Sequence, residues 1–190
     1  MPELFDIWMR LLRDTPGSVL WLIEVDPTAS ANLRTAAGRH GIDPDRLVFS
    51  PKVNLADHLA RQRNADLFLD TLPYNAGLTA SNALWSGLPV ITCLGASLVG
   101  RIAASLLNAV GLAELVTKSL SDYEALALHL AHNPARLTSL REKLSRNHDD
   151  CPLFNTKRFT RHLEIAYETM WSLYQMREPP ESFAVENTNL

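Results

Sequence analysis

The sequence predicts an α/β fold built on a doubly wound parallel sheet, and three observations lead there. Four apolar runs of five to seven residues and a shorter fifth are spaced along the chain, and segments with helical periodicity separate them. The runs are apolar on both sides instead of alternating with polar residues, as strands covered on both faces by helices are. Glycine, proline and aspartate punctuate the junctions where strands and helices should meet.

The elements follow in order. Glu3 to Asp14 places Leu4, Ile7, Trp8, Leu11 and Leu12 at helical spacing, and Asp14-Thr-Pro-Gly17 ends that helix. Ser18 to Glu24 reads as a buried strand. Asp26 is the expected cap of a helix that has Pro27 in its first turn and stops at Gly41. Arg46 to Ser50 is the second strand, Asn54 to Ala65 the next helix, and Asp66 to Asp70 the third strand. A loop over Thr71 to Leu78 leads into a helix from Thr79 to Trp85. Pro89 to Leu94 is the fourth strand, with helical periodicity from Val99 to Val110. Glu114-Leu-Val116 is a short fifth strand, followed by a helix over Tyr123 to Ala131. The charged stretch Arg136 to Arg146 reads as a solvated helical face. A long helix over 156–176 closes one domain spanning residues 3–176, and 177–190 is a loose polar tail.

Composition narrows the function. With 18 basic and 21 acidic side chains and a net charge of −3, the chain lacks the basic excess of a protein that binds nucleic acid by neutralising phosphates. At 190 residues it buries roughly 70% of its extended surface, enough for one core and too little for two full domains. No apolar run approaches the ~20 residues of a membrane span, and the first residues carry no secretory signal. Cys93 and Cys151 stand far apart, outside any metal-binding spacing, and read as buried or half-buried thiols in a reducing cytoplasm. No metal site is expected.

Ligands of open α/β sheets bind beyond the carboxyl ends of the strands. The third such end, Asp70 to Gly77, is a small-residue loop that runs into a helix carrying Thr79 and Ser81. Free N–H groups and the positive end of the helix dipole suit a phosphate there; an ordinary turn with Thr79 as N-cap is the alternative. His58 and Arg61, three apart at the start of the helix after the second strand, share a face on which a base can stack, or else are two solvated side chains. Gly95 to Ile102 has the glycine spacing of a phosphate-binding P-loop. Arg101 and Ile102 replace the lysine and hydroxyl residue that such a loop needs, so it is set aside. His129 and His132 share a helical face without a third ligand and read as surface residues.

Several motifs keep their order along the chain. These are Asn32-Leu, Arg46-Leu-Val-Phe-Ser-Pro51, His58, Ala65-Asp-Leu-Phe-Leu-Asp-Thr71, Asn75-Ala-Gly77 and Ala83-Leu-Trp-Ser-Gly-Leu-Pro-Val90. Gly100-Arg-Ile-Ala-Ala-Ser-Leu-Leu107, Tyr123 and Pro152-Leu-Phe-Asn-Thr-Lys157 complete the series. Together they resemble the C-terminal catalytic region of O-linked N-acetylglucosamine transferases, particularly bacterial proteins that join it to tetratricopeptide repeats. The resemblance covers about residues 3 to 176. It implies the second Rossmann-like half of a glycosyltransferase-B architecture, in which UDP-GlcNAc is the donor substrate and no cofactor or metal is needed.

By position, the resemblance implies that His58 stacks near the uracil, with Arg61 beside it and backbone groups around Val53 reading the base edge. Gly77, Leu78 and Thr79 would cradle the pyrophosphate, and Asn82 would face the ribose. Transfer would be an inverting displacement to a protein acceptor, with charge growing on the departing UDP. The sequence departs from the family at two of these places and at one beside them: Leu78 replaces a hydroxyl residue, Asn82 an acid, and Leu55 a lysine often found near the base. A lysine that contacts the leaving phosphate lies in the family just before the segment matching Pro2-Glu-Leu. That lysine, the first Rossmann half and the repeats are therefore expected as partners, in cis or in trans, and no catalytic residue is assigned within this chain. The competing expectation is a non-catalytic remnant that serves as a nucleotide-binding or protein-interaction module; an unrelated α/β binding domain ranks behind both.

Overall fold

The computed structural model describes residues 1–186. Four residues of the expected polar tail, 187–190, lie outside the described residues. The elements are α1 (Pro2–Asp14), β1 (Leu20–Ile23), α2 (Pro27–Arg39), β2 (Leu47–Ser50), α3 (Leu55–Gln62), β3 (Phe68–Leu69) and α4 (Leu78–Trp85). They continue with β4 (Val90–Cys93), α5 (Ile102–Ala109), β5 (Val116–Thr117), α6 (Leu120–Ala131), α7 (Pro134–Asn147) and α8 (Thr156–Gln175).

Every strand pairing is parallel. β1 pairs with β2 from Leu20↔Leu47 to Ile23↔Ser50, while β4 sits between β3 and β5. Parallel neighbours need crossovers, and α2, α4 and α5 supply them. β4 is buried along its whole length, with α4, α5 and α6 packed against it. The main core gathers around it: Leu84, Val90, Ile91, Leu107, Leu112, Tyr123 and Leu130.

A second, smaller core of Met9, Leu12, Ala37, Ile42 and Leu47 lies under the β1–β2 pair. The first helix joins the two cores, giving Leu4 and Ile7 to one and Met9 and Leu12 to the other. Arg10 holds it to α6 through a two-pronged ion pair with Glu124, at 2.6 and 2.7 Å. Arg46 ties the start of β2 to the end of α1 by donating to the carbonyls of Thr15 and Ser18.

Local chemistry explains most boundaries. The Asp26 carboxylate accepts from Thr28 N–H, Asn54 from Asp57 N–H, Ser119 from Asp122 N–H and Asn155 from Arg158 N–H; these are the N-caps of α2, α3, α6 and α8. The sixth helix therefore starts three residues before Tyr123, the residue at which sequence periodicity begins it. Glu114 falls in a 3₁₀ turn over Ala113–Leu115, and the fifth strand forms just after it.

The charged stretch of α7 is more than a solvated face. Lys143 bonds Glu114 at 2.8 Å, Arg141 donates to the Ala65 carbonyl, and Leu140 and Leu144 are buried beneath. Cys93 and Cys151 are both buried free thiols. Among the described residues, no helix is long and apolar enough to cross a membrane, and no cluster of histidine, cysteine and carboxylate side chains is arranged to hold a metal.

One element is less buried than its sequence implies. The first strand is apolar throughout, yet Ile23 is exposed and Leu20, Trp21 and Leu22 are only half-buried. The side that carries Leu20 and Leu47 faces the small core, whereas Val19, Ile23, Val25 and Val48 face out.

Candidate nucleotide-sugar site

The expected site residues lie on two loops and on the helices that follow them, α3 and α4, which pack against each other. The first loop leaves β2 at Ser50 and enters α3 through the Asn54 cap. Val53 lies in it with its side chain exposed. The short polar run Ser50 to Asn54 interrupts the apolar periodicity, which is why the strand ends there.

His58 and Arg61 sit on one face of α3, and they bond each other. Arg61 Nη2 lies 3.2 Å from His58 Nδ1, and Arg61 Nη1 donates to the Pro51 carbonyl at 2.7 Å. The Arg61 guanidinium also lies over the Trp21 ring, 5.5 Å from its centroid. Trp21 is anchored in turn by its indole N–H, which donates to Ser50 Oγ at 2.6 Å. Arg61 is thus clamped between the end of β2 and an aromatic face on β1, and it positions His58. Burial, and then the nearby Arg61 charge, push the His58 imidazole below its ordinary pKa, which favours the neutral ring. Gln62, one turn from His58 and buried, completes the cluster at 2.9 Å from its Nε2.

The second loop runs from Asp70 to Gly77. Asp70 is 2% exposed, and its carboxylate accepts three hydrogen bonds: from Thr71 N–H and Ala76 N–H, each at 2.7 Å, and from Thr92 Oγ1 at 2.6 Å. Burial pushes this carboxyl above the usual aspartate range, against the pull of those three donors. Tyr123, itself buried, donates to the Asp70 carbonyl at 3.0 Å. One residue therefore folds the loop back on itself and fixes the point at which α4 begins.

That helix begins at Leu78, with Gly77 as N-cap, so Thr79 is a first-turn residue and not the cap that the alternative reading required. No side chain caps α4 among the described residues. The N–H groups of its first turn have no intrahelical acceptor, and the positive end of the helix dipole adds to them. Thr79 is exposed and Asn82, three residues on, is half-buried, so the two share a face. Leu78 is 77% exposed, an apolar side chain beside a row of free donors.

The glycine pair of the rejected P-loop pattern has a packing role. Gly95 N–H donates to the Gly100 carbonyl at 2.7 Å, and Asn75 N–H donates to the Val99 carbonyl at 3.0 Å. A Cβ on Gly100 would come within 3.2 Å of the Pro73 carbonyl. The loop after β4 thus braces the loop after β3. A hollow of about 310 Å³, lined by Pro152, Arg158, Phe159 and His162, opens near the start of α8, and none of the expected site residues lines it.

Sequence reasoning did not single out Trp21, Gln62 or Asp70 as site residues. Asp70 had a usable signal, an acidic residue closing an apolar strand before a small-residue loop. Gln62 had one too, its place four residues after His58 on the same helix, whereas Trp21 had none, because its contacts join residues distant in sequence.

Parallel strands joined by helical crossovers, with no side chain capping the helix that starts at a strand's carboxyl end, make this a Rossmann-like α/β fold, and superposition on an O-GlcNAc transferase places it in the glycosyltransferase-B class. The structure superposes on that of a mutant of the Thermobaculum terrenum O-GlcNAc transferase with a TM-score of 0.83 and 37% sequence identity, over 90% of this chain and 33% of that one. Residues 1–163 match the family described as glycosyl transferase family 41, and the chain belongs to that family. It is 34% identical over its full length to an Arabidopsis thaliana protein described as a probable UDP-N-acetylglucosamine–peptide N-acetylglucosaminyltransferase, SEC, and spans 19% of that protein. It is 32% identical over 94% of its length to the Caenorhabditis elegans UDP-N-acetylglucosamine–peptide N-acetylglucosaminyltransferase, of which it spans 16%. The region matched is the C-terminal part of these relatives.

Proposed function

We propose that this chain is the donor-binding part of a protein O-GlcNAc-transferase-like, inverting glycosyltransferase, and that its ligand is UDP-GlcNAc. The observation that carries the reading is the pairing of two sites on adjacent helices. The clamped His58–Arg61 face on α3 suits a planar base, and the uncapped start of α4 suits a diphosphate. Val53 supplies backbone groups to the base edge, and His58 stacks on the ring with Arg61 beside it. Gly77, Leu78 and Thr79 offer N–H donors to the pyrophosphate, and Asn82 meets a ribose hydroxyl through its amide.

The chemical contribution of such a site is electrostatic. As the sugar–phosphate bond breaks, negative charge grows on the departing UDP, and fixed N–H dipoles at the α4 N-terminus stabilise it without having to reorganise. Leu78 removes a hydroxyl from that cradle while keeping its backbone N–H. The acceptor protein, the groups that activate it and the leaving-phosphate lysine belong to a first half, supplied in cis or in trans. No metal or other cofactor takes part in this reading.

The last helix is the surface on which the first half docks. No residue of α8 is buried, and Phe159, Leu163, Tyr167, Trp171 and Tyr174 follow one another at three- and four-residue intervals along one side, with Met170 exposed beside Trp171.

Calorimetric titration of the folded chain with UDP and UDP-GlcNAc tests the reading. Saturable heat at or below millimolar ligand supports it, and a flat titration at millimolar ligand overturns it. The exposed Leu78 favours a second reading, a binding or interaction module without turnover. Adding a family first half separates the two: sugar transfer restored on mixing excludes the module.

A further inference from the structure

The side chains around His58 pose a problem of donors and acceptors that one exchange of atoms solves. Both imidazole nitrogens are engaged, Nδ1 at 3.2 Å from Arg61 Nη2 and Nε2 at 2.9 Å from Gln62 Nε2. A guanidinium only donates, so Nδ1 accepts and carries no proton. A neutral ring then has its proton on Nε2, which needs an acceptor. With the Gln62 amide nitrogen turned towards it, two donors would face each other. At the same time Gln62 Oε1 is buried, with no hydrogen-bond partner among the described residues.

The amide oxygen and nitrogen have nearly the same shape, and their assignment follows from the hydrogen bonds around them. Turning the amide over sets Oε1 against the Nε2 proton and removes both faults at once. A protonated imidazole does not solve the problem, because its Nδ1–H would then face the Arg61 donor. Gln62 is 5% exposed, so water does not readily replace its oxygen.

We propose that Gln62 is a positioning residue that holds His58 as the Nε2–H tautomer, so that the imidazole offers a ligand its flat face and neither of its nitrogens. The inference rests on the reading of His58 as part of the base site and sharpens what that site recognises. With both nitrogens used inside the protein, His58 contributes stacking that is indifferent to the pattern of donors on the base. Discrimination between uracil and another pyrimidine falls to the backbone around Val53.

Long-range proton–nitrogen NMR of the full chain, carrying isotope-labelled histidine and no nucleotide, reads the tautomer directly. The His58 signals are assigned by their loss in His58→Asn. A bare Nδ1 and a protonated Nε2 are expected in the unaltered protein, and a protonated Nδ1 overturns the proposal without any Gln62 variant. Gln62→Glu keeps an acceptor in place and is expected to preserve the tautomer. Gln62→Leu, checked for its fold by circular dichroism, is expected to give a tautomer mixture and to weaken UDP binding about threefold to tenfold, as loss of one hydrogen bond does. An unmixed Nε2–H ring in folded Gln62→Leu also overturns the proposal. Failure of the unaltered protein to bind UDP overturns the base-site reading instead, and the tautomer still decides the role of Gln62.

Discussion

His58 lies in a setting that favours its neutral form, since burial and the Arg61 charge both lower its pKa from the ordinary 6.5. The sign of the pH effect follows from that depression. The stabilisation is present above the unfolded value and is lost as pH falls through the lower folded value, where protonation must break the bond from Arg61. Urea midpoints measured from pH 7.5 down to pH 5 are therefore expected to fall, and His58→Asn, which cannot protonate, is expected to flatten part of that decline. Equal slopes in the two proteins would contradict it. Asp70 makes a larger structural contribution. Replacing it by alanine leaves the part-buried Thr71 and Ala76 N–H groups and the buried Thr92 hydroxyl of β4 without their acceptor. Asp70→Ala is expected to cost about 3 kcal/mol in chemical denaturation and to weaken UDP binding further than the stability loss alone explains. A loss below about 1 kcal/mol would mean that water replaces the carboxylate.

The two loops after β3 and β4 act as one unit, because the Asn75 N–H of the first donates to the Val99 carbonyl of the second and Gly100 packs closely on the Pro73 carbonyl. Gly100→Ala tests this coupling, since the added methyl meets the Pro73 carbonyl at 3.2 Å and the Gly95 Cα at 3.1 Å, both backbone atoms that do not rotate away. Calorimetry is expected to show several-fold weaker UDP binding while the far-ultraviolet spectrum is unchanged; unaltered affinity would separate the brace from the site. Elements of this size were largely legible in the sequence. Short apolar runs such as Pro89 to Leu94 have one stable use, as strands covered on both faces, and β4 is buried as that rule requires. The reading failed where burial depends on what lies beyond the chain's own contacts. β1 is as apolar as β4, and nothing within it reveals that one side stays exposed. The alternative reading of Thr79 as a cap fails because Gly77 holds that position, just after Ala76, whose N–H donates to the Asp70 carboxylate. His58 and Arg61 were legible as a pair because they sit three apart on one helix. The Trp21 and Ser50 contacts that hold Arg61 join separate strands, and no local spacing encodes them.

At the scale of the whole molecule, the exposed apolar surface is arranged in a pattern. An isolated solvent-exposed helix of α8's length would be expected to be polar on its outer side. Instead Phe159, Tyr167, Trp171 and Tyr174 are 64, 60, 59 and 72% exposed, and the last two stack on each other at 5.6 Å. A contiguous aromatic stripe of this kind marks an interaction surface. The relatives that this chain matches are roughly five to six times its length, since it spans 19% of one and 16% of another, and under the proposed function a first half is the occupant of this surface. The stripe lies on α8, while the proposed donor site is built on α3 and α4, so the two functions are expected to separate under mutation. Replacing Tyr167 and Trp171 together by serine leaves the first-turn donors of α4 and the His58 cluster untouched. UDP affinity is therefore expected to stay within about twofold of the parent, because neither residue contributes a hydrogen bond to that site. Transfer activity measured with a first half added in trans is expected to fall at least tenfold, as the aromatic anchors of an interface usually carry much of its binding energy. If both measurements fall together, α8 supports the fold of the donor site and not the docking of a partner. If neither falls, the first half binds elsewhere, and the exposed side of β1 and β2, with Ile23, Val25 and Val48, is the surface to alter next.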